Sequence, residues 1–259
     1  MKRILFILLP ILAFLVVLIF FYKSKGIDKK IKTPQKEEQA EESFSPTPSL
    51  TESFNSSYQT VWVTVRDIGK IKLFLNLVEK LSSDEASTKN NCAHLINGGF
   101  YDKNDKPIGL FVIDGRVLEI AKENSLLNGY FYIDLQEKAY IESVSPKSPS
   151  IAVQAGPILF KNQKPVSLTL SKDELARRIV VATTKDQKAI FLVFYTKANP
   201  LLGPTLSELP GIIEEIRQNA KLDIVNAINL DGGTHSSFLT KNFKLSEVAT
   251  IGSYFCIVP

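Results

Sequence analysis

From Tyr58 onward the chain is a succession of short apolar runs, each ended by glycine or a small polar cluster. The runs are rich in Val, Ile, Phe and Tyr and too short for helices, which is the signature of strands. They predict strands at residues 61–65, 71–75, 94–97, 108–113, 117–120, 130–133, 139–144, 151–154, 158–160, 179–183, 189–195, 224–230, 237–239 and 254–258. Runs 108–113 and 117–120 flank Asp114-Gly115, a hairpin dipeptide. Runs 179–183 and 189–195 flank the polar turn Lys185-Asp186-Gln187. Helical spacing appears at Leu209, Ile212, Ile213 and Ile216. Just before it, Thr205-Leu206-Ser207-Glu208 reads as a capping box, with the threonine oxygen accepting a first-turn amide and the glutamate reaching back. Many strands in hairpins with few helices predict an α+β domain built mainly of antiparallel mixed sheet.

The N-terminus follows a different rule. Residues 4–22 are apolar throughout and carry no charge. Such a run, at helical rise, nearly matches the hydrocarbon thickness of a bilayer. Lys2 and Arg3 precede it, and it ends Ile-Phe-Phe-Tyr, a poor cleavage site, so residues 1–23 read as an uncleaved signal-anchor. Pro10 is tolerable in a membrane helix. Lysines flank both ends of the run, so the positive-inside rule leaves its orientation open. Residues 24–57 are rich in Lys, Glu, Ser, Thr and Pro and bury too little to offset the entropy of ordering, so they read as a flexible tether. Residues 58–259 are then one globular domain, long enough for one sizeable core. The net charge of +4 changes little, because many lysines lie beside the apolar run and in the tether. The globular part is not the basic body of a nucleic-acid binder, and no nucleic-acid partner is expected.

Two places carry candidate chemistry. Asn97-Gly98-Gly99-Phe100-Tyr101-Asp102 and Asn229-Leu230-Asp231-Gly232-Gly233 share a form: an apolar strand, a polar side chain, then two glycines. Glycine permits close approach of a ligand to backbone, and successive free amides make an anion-binding concavity. A carboxylate beside them can serve as acid, base or nucleophile. The competing reading is a pair of ordinary turns. Arg177-Arg178 precedes a strongly apolar strand, where alternation lets only one of the two face a given pocket. The alternatives are a solvated pair or a guanidinium fork for phosphate. Of the two histidines, His94 sits within a strand and reads as packed there, and His235 follows the second double glycine. No metal-ligand spacing, Walker loop or nucleophile elbow is present, so no metal or cofactor is expected. Cys92 and Cys256 are the two cysteines, and a bridge and two separate buried thiols are equally compatible with the sequence.

Taken in order, Asn97-Gly-Gly-Phe-Tyr-Asp102, Gly109-Leu110, Gln154-Ala-Gly-Pro157, Arg178, Thr205-Leu206-x-Glu208-Leu209 and Asn229-Leu-Asp-Gly-Gly233 with Ser236-Ser237 resemble the phosphodiester glycosidase domain family. The resemblance runs from about Val61 to the C-terminus. It implies hydrolysis at a sugar anomeric carbon that carries a phosphodiester, outside the cytoplasm. It also implies a site lined by Asn97, Gly98, Gly99, Gln154, Gly156, Arg178, Asp231, Gly232 and Gly233, with Phe100 and Asp102 beside them. In that reading Arg178 and the glycine amides hold phosphate, and Asp231 is the catalytic carboxylate. Asn97 and Gln154 orient substrate oxygens, and His235 donates a proton. The sequence departs from the family where Ile-Val-Val follows Arg178, and where Thr-His-Ser-Ser follows Gly233. The partners so implied are a sugar-phosphate or glycan substrate and the membrane. The alternative function is a non-catalytic envelope protein that binds glycan or cell-wall polymer.

Overall fold

The computed structural model describes residues 58–259 and the backbone of the strand Glu52–Asn55. The expected anchor at 1–23 lies outside the described residues, as does the expected tether apart from that strand. Among the described residues no helix is long and apolar enough to cross a membrane.

Three antiparallel sheets share one core. The largest runs β1 (Glu52–Asn55), β2 (Tyr58–Val65), β13 (Ala189–Tyr195), β12 (Arg178–Thr183), β14 (Asn226–Asn229), β10 (Ile158–Lys161), β11 (Lys164–Pro165). A second runs β16 (Lys244–Leu245), β15 (Phe238–Leu239), β4 (His94–Asn97), β17 (Ser253–Ile257), β3 (Ile71–Leu75). The third runs β6 (Arg116–Glu119), β5 (Phe111–Ile113), β9 (Ile151–Ala155), β7 (Gly129–Ile133), β8 (Ala139–Glu142).

Phe131, Phe191 and Phe255, one from each sheet, meet at the centre with ring centroids 5.3–6.1 Å apart. Around them Val61, Val63, Ile71, Ile96, Phe111, Val153, Ile179, Val181 and Ile228 form the main core. Every residue of β13 is buried, because the other face of the first sheet is also covered. Trp62, Phe160, Val180, Leu192 and Phe194 there pack on Leu209, Ile212, Ile213 and Ile216. This double coverage explains why β12 and β13 read as continuous apolar runs rather than as alternating ones.

Two helices lie among the described residues, α1 (Ser83–Lys89) and α2 (Leu209–Asn219). The apolar periodicity predicted α2 and not α1. The short helix α1 buries only Ser83 and Ala86, so it has no apolar stripe to show. Its signal is a complete capping box, Ser82 and Glu85 bonding each other's backbone amides. At α2 the expected box is half made. Glu208 accepts the Thr205 amide at 2.8 Å, but the Thr205 hydroxyl donates to the same carboxylate. Asp173, from a distant loop, accepts the amides of Leu206 and Ser207 instead. The strand expected at 224–230 is shorter, Asn226–Asn229, because the backbone beyond it turns away to form the site.

Candidate active site

The ends of β4 and β14 bring the two double-glycine segments together. The Asp231 amide donates to the Gly98 carbonyl at 3.3 Å, and Asn97 Nδ2 donates to the Asp231 carbonyl at 2.7 Å. Asn97 Oδ1 accepts the Ser237 amide at 3.1 Å, so one buried amide side chain clasps both ends of the segment 231–237. Within it, residues Gly233–His235 form a single 3-10 turn.

Asp231 is mostly enclosed, and burial pushes its carboxyl up to about 7 against the opposing effect of a hydrogen bond from the Gly232 amide. A carboxyl so placed is half ionised near neutrality, the condition for proton transfer in either direction. Tyr101 stands beside it. Burial first, then the negative charges of Asp231 and Asp105, raise its phenol above the usual range. The Tyr101 hydroxyl donates to the Thr250 carbonyl, and its ring meets His235 edge-on with centroids 5.7 Å apart. His235 Nδ1 lies 3.2 Å from the Thr234 hydroxyl. The motif contains Tyr101, yet the sequence did not single it out from Phe100 and Asp102. Its ring lies against Gly252, where a β-carbon would come within 2.2 Å of Cδ1. Gly252→Ala is therefore expected to displace Tyr101 and cost about 1–3 kcal/mol, as overpacking does. Urea unfolding measures the loss, and an unchanged midpoint would contradict this packing.

Several expected roles change. The four glycine amides do not form an open anion concavity. Gly98 donates to Ser253 O, Gly99 to Ser253 Oγ, Gly232 to Asp231 Oδ1 and Gly233 to Arg177 O, at 2.8–3.0 Å. At Gly232 glycine is needed because a β-carbon would sit 2.6 Å from the Arg177 carbonyl. Gln154 is a structural clamp: it accepts the amides of Leu110 and Lys122 and donates to the carbonyls of Lys122 and Leu127. Gly156 touches the site indirectly, exchanging hydrogen bonds with Asn229. Phe100 packs on the main core. Asp102 accepts the amides of Asn104 and Lys106 in an exposed turn, which holds its carboxyl below the usual range.

The arginine pair is not solvated. Arg177 is 1% exposed. Its Nε donates to Ser236 Oγ at 2.7 Å, and Nη2 to the carbonyls of Ser236 at 2.6 Å, Ser246 at 2.9 Å and Gly233 at 3.4 Å. Burial pushes its guanidinium down to about 10, opposed by the charge of Glu247. Arg178 has its own partners, donating to the carbonyls of Pro204 and Glu174 and lying 3.8 Å from Asp173. His94 is partly buried and held below the usual imidazole range by desolvation, consistent with a packed role.

An open cleft of about 540 Å³ lies at the opposite end of β12 and β14, lined by Glu142, Lys161, Thr183, Gln187 and Asn226 among others. None of the motif residues lines it.

The Asp231 carboxyl, raised toward neutrality by burial, stands at the sheet end where the two glycine-bearing segments cross. The profile of the phosphodiester glycosidase family matches residues 90–256, and the chain belongs to that family. Among solved structures it is similar to the catalytic domain of zebrafish N-acetylglucosamine-1-phosphodiester α-N-acetylglucosaminidase auto-inhibited by its pro-peptide. The TM-score is 0.57 and the identity 15%, over 78% of this chain and 77% of that one. A hypothetical protein from Synechocystis has a TM-score of 0.53 at 13% identity, over 77% of this chain and 59% of that one. A putative exported protein from Burkholderia pseudomallei has 0.51 at 11%, over 78% and 74%. These likenesses are of fold. The sequence matches none of the curated proteins.

Proposed function

We propose that this protein hydrolyses the glycosidic bond of a sugar-1-phosphodiester on the extracytoplasmic side of a membrane, held there by residues 4–22. The observation that carries the reading is the Asp231 carboxyl, poised near neutrality where the two motifs cross. Water attacks the anomeric carbon and Asp231 takes its proton. The bond from that carbon to the phosphate oxygen breaks, and the phosphate monoester leaves as an anion that needs little protonation. The electron-poor sugar centre is stabilised by the charge developing beside it. Asn97 fixes the backbone carrying Asp231, and in this reading His235 exchanges a proton at the rim. With the glycine amides engaged internally, the phosphate falls to Arg178. Its Nε and Nη2 are tied to carbonyls, with Asp173 3.8 Å from Nη2, and among the described residues its Nη1 is not bonded, which leaves donors for an anion. Membership of the phosphodiester glycosidase family supports the reaction class. The Cys92–Cys256 bond supports an oxidising compartment.

The direct test is incubation with a sugar-1-phosphodiester and detection of both free sugar and phosphate monoester. A protein that only binds glycan would retain the ligand and release neither. Protease added to intact spheroplasts should digest residues 58–259, and protection would place them in the cytoplasm. Arg178→Lys keeps the charge but loses the planar guanidinium that bonds both carbonyls while presenting Nη1, so kcat/KM is expected to fall by about tenfold or more. An unchanged value would remove Arg178 from phosphate binding.

A further inference from the structure

We infer that Arg177, the arginine beside the proposed phosphate ligand, is a positioning residue that sets the place of the Asp231 carboxyl. The inference rests on the proposed role of Asp231. Among the described residues no side chain hydrogen-bonds that carboxylate. Its partner is the amide of the next residue, Gly232. Where the carboxylate stands is therefore decided by where the backbone of 231–237 stands.

That backbone leaves the first sheet at Asn229 and enters the second at Phe238. Asn97 holds its two ends. Among the charged side chains of the described residues, Arg177 holds its middle. The Gly233 amide donates to the Arg177 carbonyl, and the Arg177 guanidinium donates to the carbonyls of Gly233 and Ser236 and to the Ser236 hydroxyl. Ser236 Oγ donates in turn to the Gly233 carbonyl at 2.6 Å. A further donation, to the Ser246 carbonyl, fastens the turn to the chain after β16.

Charge makes this grip specific. A buried guanidinium needs several acceptors and a counter-charge, and a planar fork meets carbonyls in directions that an ammonium does not. The counter-charge comes from Glu247, next to Ser246. Glu247 Oε1 accepts the Ser83 amide at 2.7 Å, so the strut reaches back to the start of α1. Arg177 itself is sealed from solvent and touches no substrate. It acts through the turn.

Arg177→Lys keeps the charge and removes most of the fork. Displacing a catalytic group by about 1 Å costs on the order of a hundredfold. We expect kcat per folded molecule to fall by about thirty- to a hundredfold while KM changes by less than about threefold. Ser236→Ala removes one rung and should move kcat in the same direction by a smaller factor, so the test survives if the arginine variant fails to fold.

Two readouts separate positioning from loss of stability. Tyr101 is the titratable group that feels the Asp231 charge, and lysine preserves the charge at position 177. A slackened turn lets water reach the carboxyl. The ascending limb of the kcat/KM pH profile should then move to lower pH by about one unit or more, because hydration favours the ionised form. The same displacement should appear in the carbon-13 NMR titration of the Asp231 carboxyl, which needs no substrate. If both variants fold, keep kcat within about twofold of the unsubstituted protein and titrate at the same pH, Arg177 is a structural strut without influence on the site. If the unsubstituted protein turns over no sugar-1-phosphodiester, the proposed function fails, and the NMR titration alone decides the role of Arg177.

Discussion

Asp231→Asn is expected to lower turnover of a sugar-1-phosphodiester by at least about a hundredfold, the lower range for losing a positioned acid or base, while making the protein more stable. The two effects share one cause. Burial raises the Asp231 carboxyl to about 7, so the fold favours its protonated form. In the unfolded chain it ionises near the ordinary carboxylate value. Below about pH 4 both states are protonated and the site costs nothing. As pH rises toward 7 the unfolded chain releases its proton first, and stability is lost. Above 7 the full penalty stands, with a ceiling of about 4 kcal/mol at about 1.4 kcal/mol per pH unit. Asparagine has no charge to bury and keeps an oxygen for the Gly232 amide. Its melting temperature should exceed that of the unsubstituted protein by several degrees at pH 8 and by only about a degree or two at pH 4. Calorimetry at the two pH values and a turnover assay check both halves. Near-normal turnover with that gain in stability would leave Asp231 a turn residue and move the search to His235 and Tyr101.

Loss of the Cys92–Cys256 bond is the second large effect. The cysteines are 164 residues apart in sequence with Cα atoms 5.2 Å apart, and among the described residues no free cysteine remains. The bond ties the segment entering β4 to β17. The pairing of Cys256 with Leu95 and a hydrogen bond from the Ala93 amide to the Ile257 carbonyl already hold these together. Closing so long a loop restricts the unfolded chain strongly, and removal typically costs about 2–5 kcal/mol. Cys92→Ser and Cys256→Ser should therefore each lower the urea midpoint by a similar amount, and reductant should lower that of the unsubstituted protein to match. A midpoint indifferent to reductant would mean that the bond contributes nothing to stability. Both outcomes bear on the site, because β4 carries Asn97 to Asp231.

The cysteine pairing also shows where sequence reading stops. Either pairing or two buried thiols fits the local pattern around Cys92 and Cys256, since both sit at apolar strands. What joins them is the register of β17 on β4, a long-range alignment. Asp114-Gly115 is the opposite case. Asp114 and Gly115 both adopt positive φ, 49° and 73°, as the tight hairpin between β5 and β6 requires. The two residues and their flanks contain all the information needed.

Whereas β1, β11 and β16 could not be read from the sequence, most of the strands, the helix α2 and, through likeness to a known family, the meeting of the two glycine motifs could. Each depends on residues close together in the chain: apolar runs bounded by turn formers, a stripe at helical spacing, an ordered set of short motifs. Which polar groups are free depends on the packed fold. Asn97, Gln154, Arg177 and the four glycine amides look like ligand-binding groups until their partners arrive from elsewhere in the chain, such as Ser253 at Gly98 and Gly99 or Ser236 and Ser246 at Arg177. Alternation could say that Arg177 and Arg178 face opposite ways, but not that Arg177 grips the turn after Asp231. That depends on where the turn after Asp231 returns, and a buried polar group is bound to satisfy itself on whatever backbone the fold brings within reach.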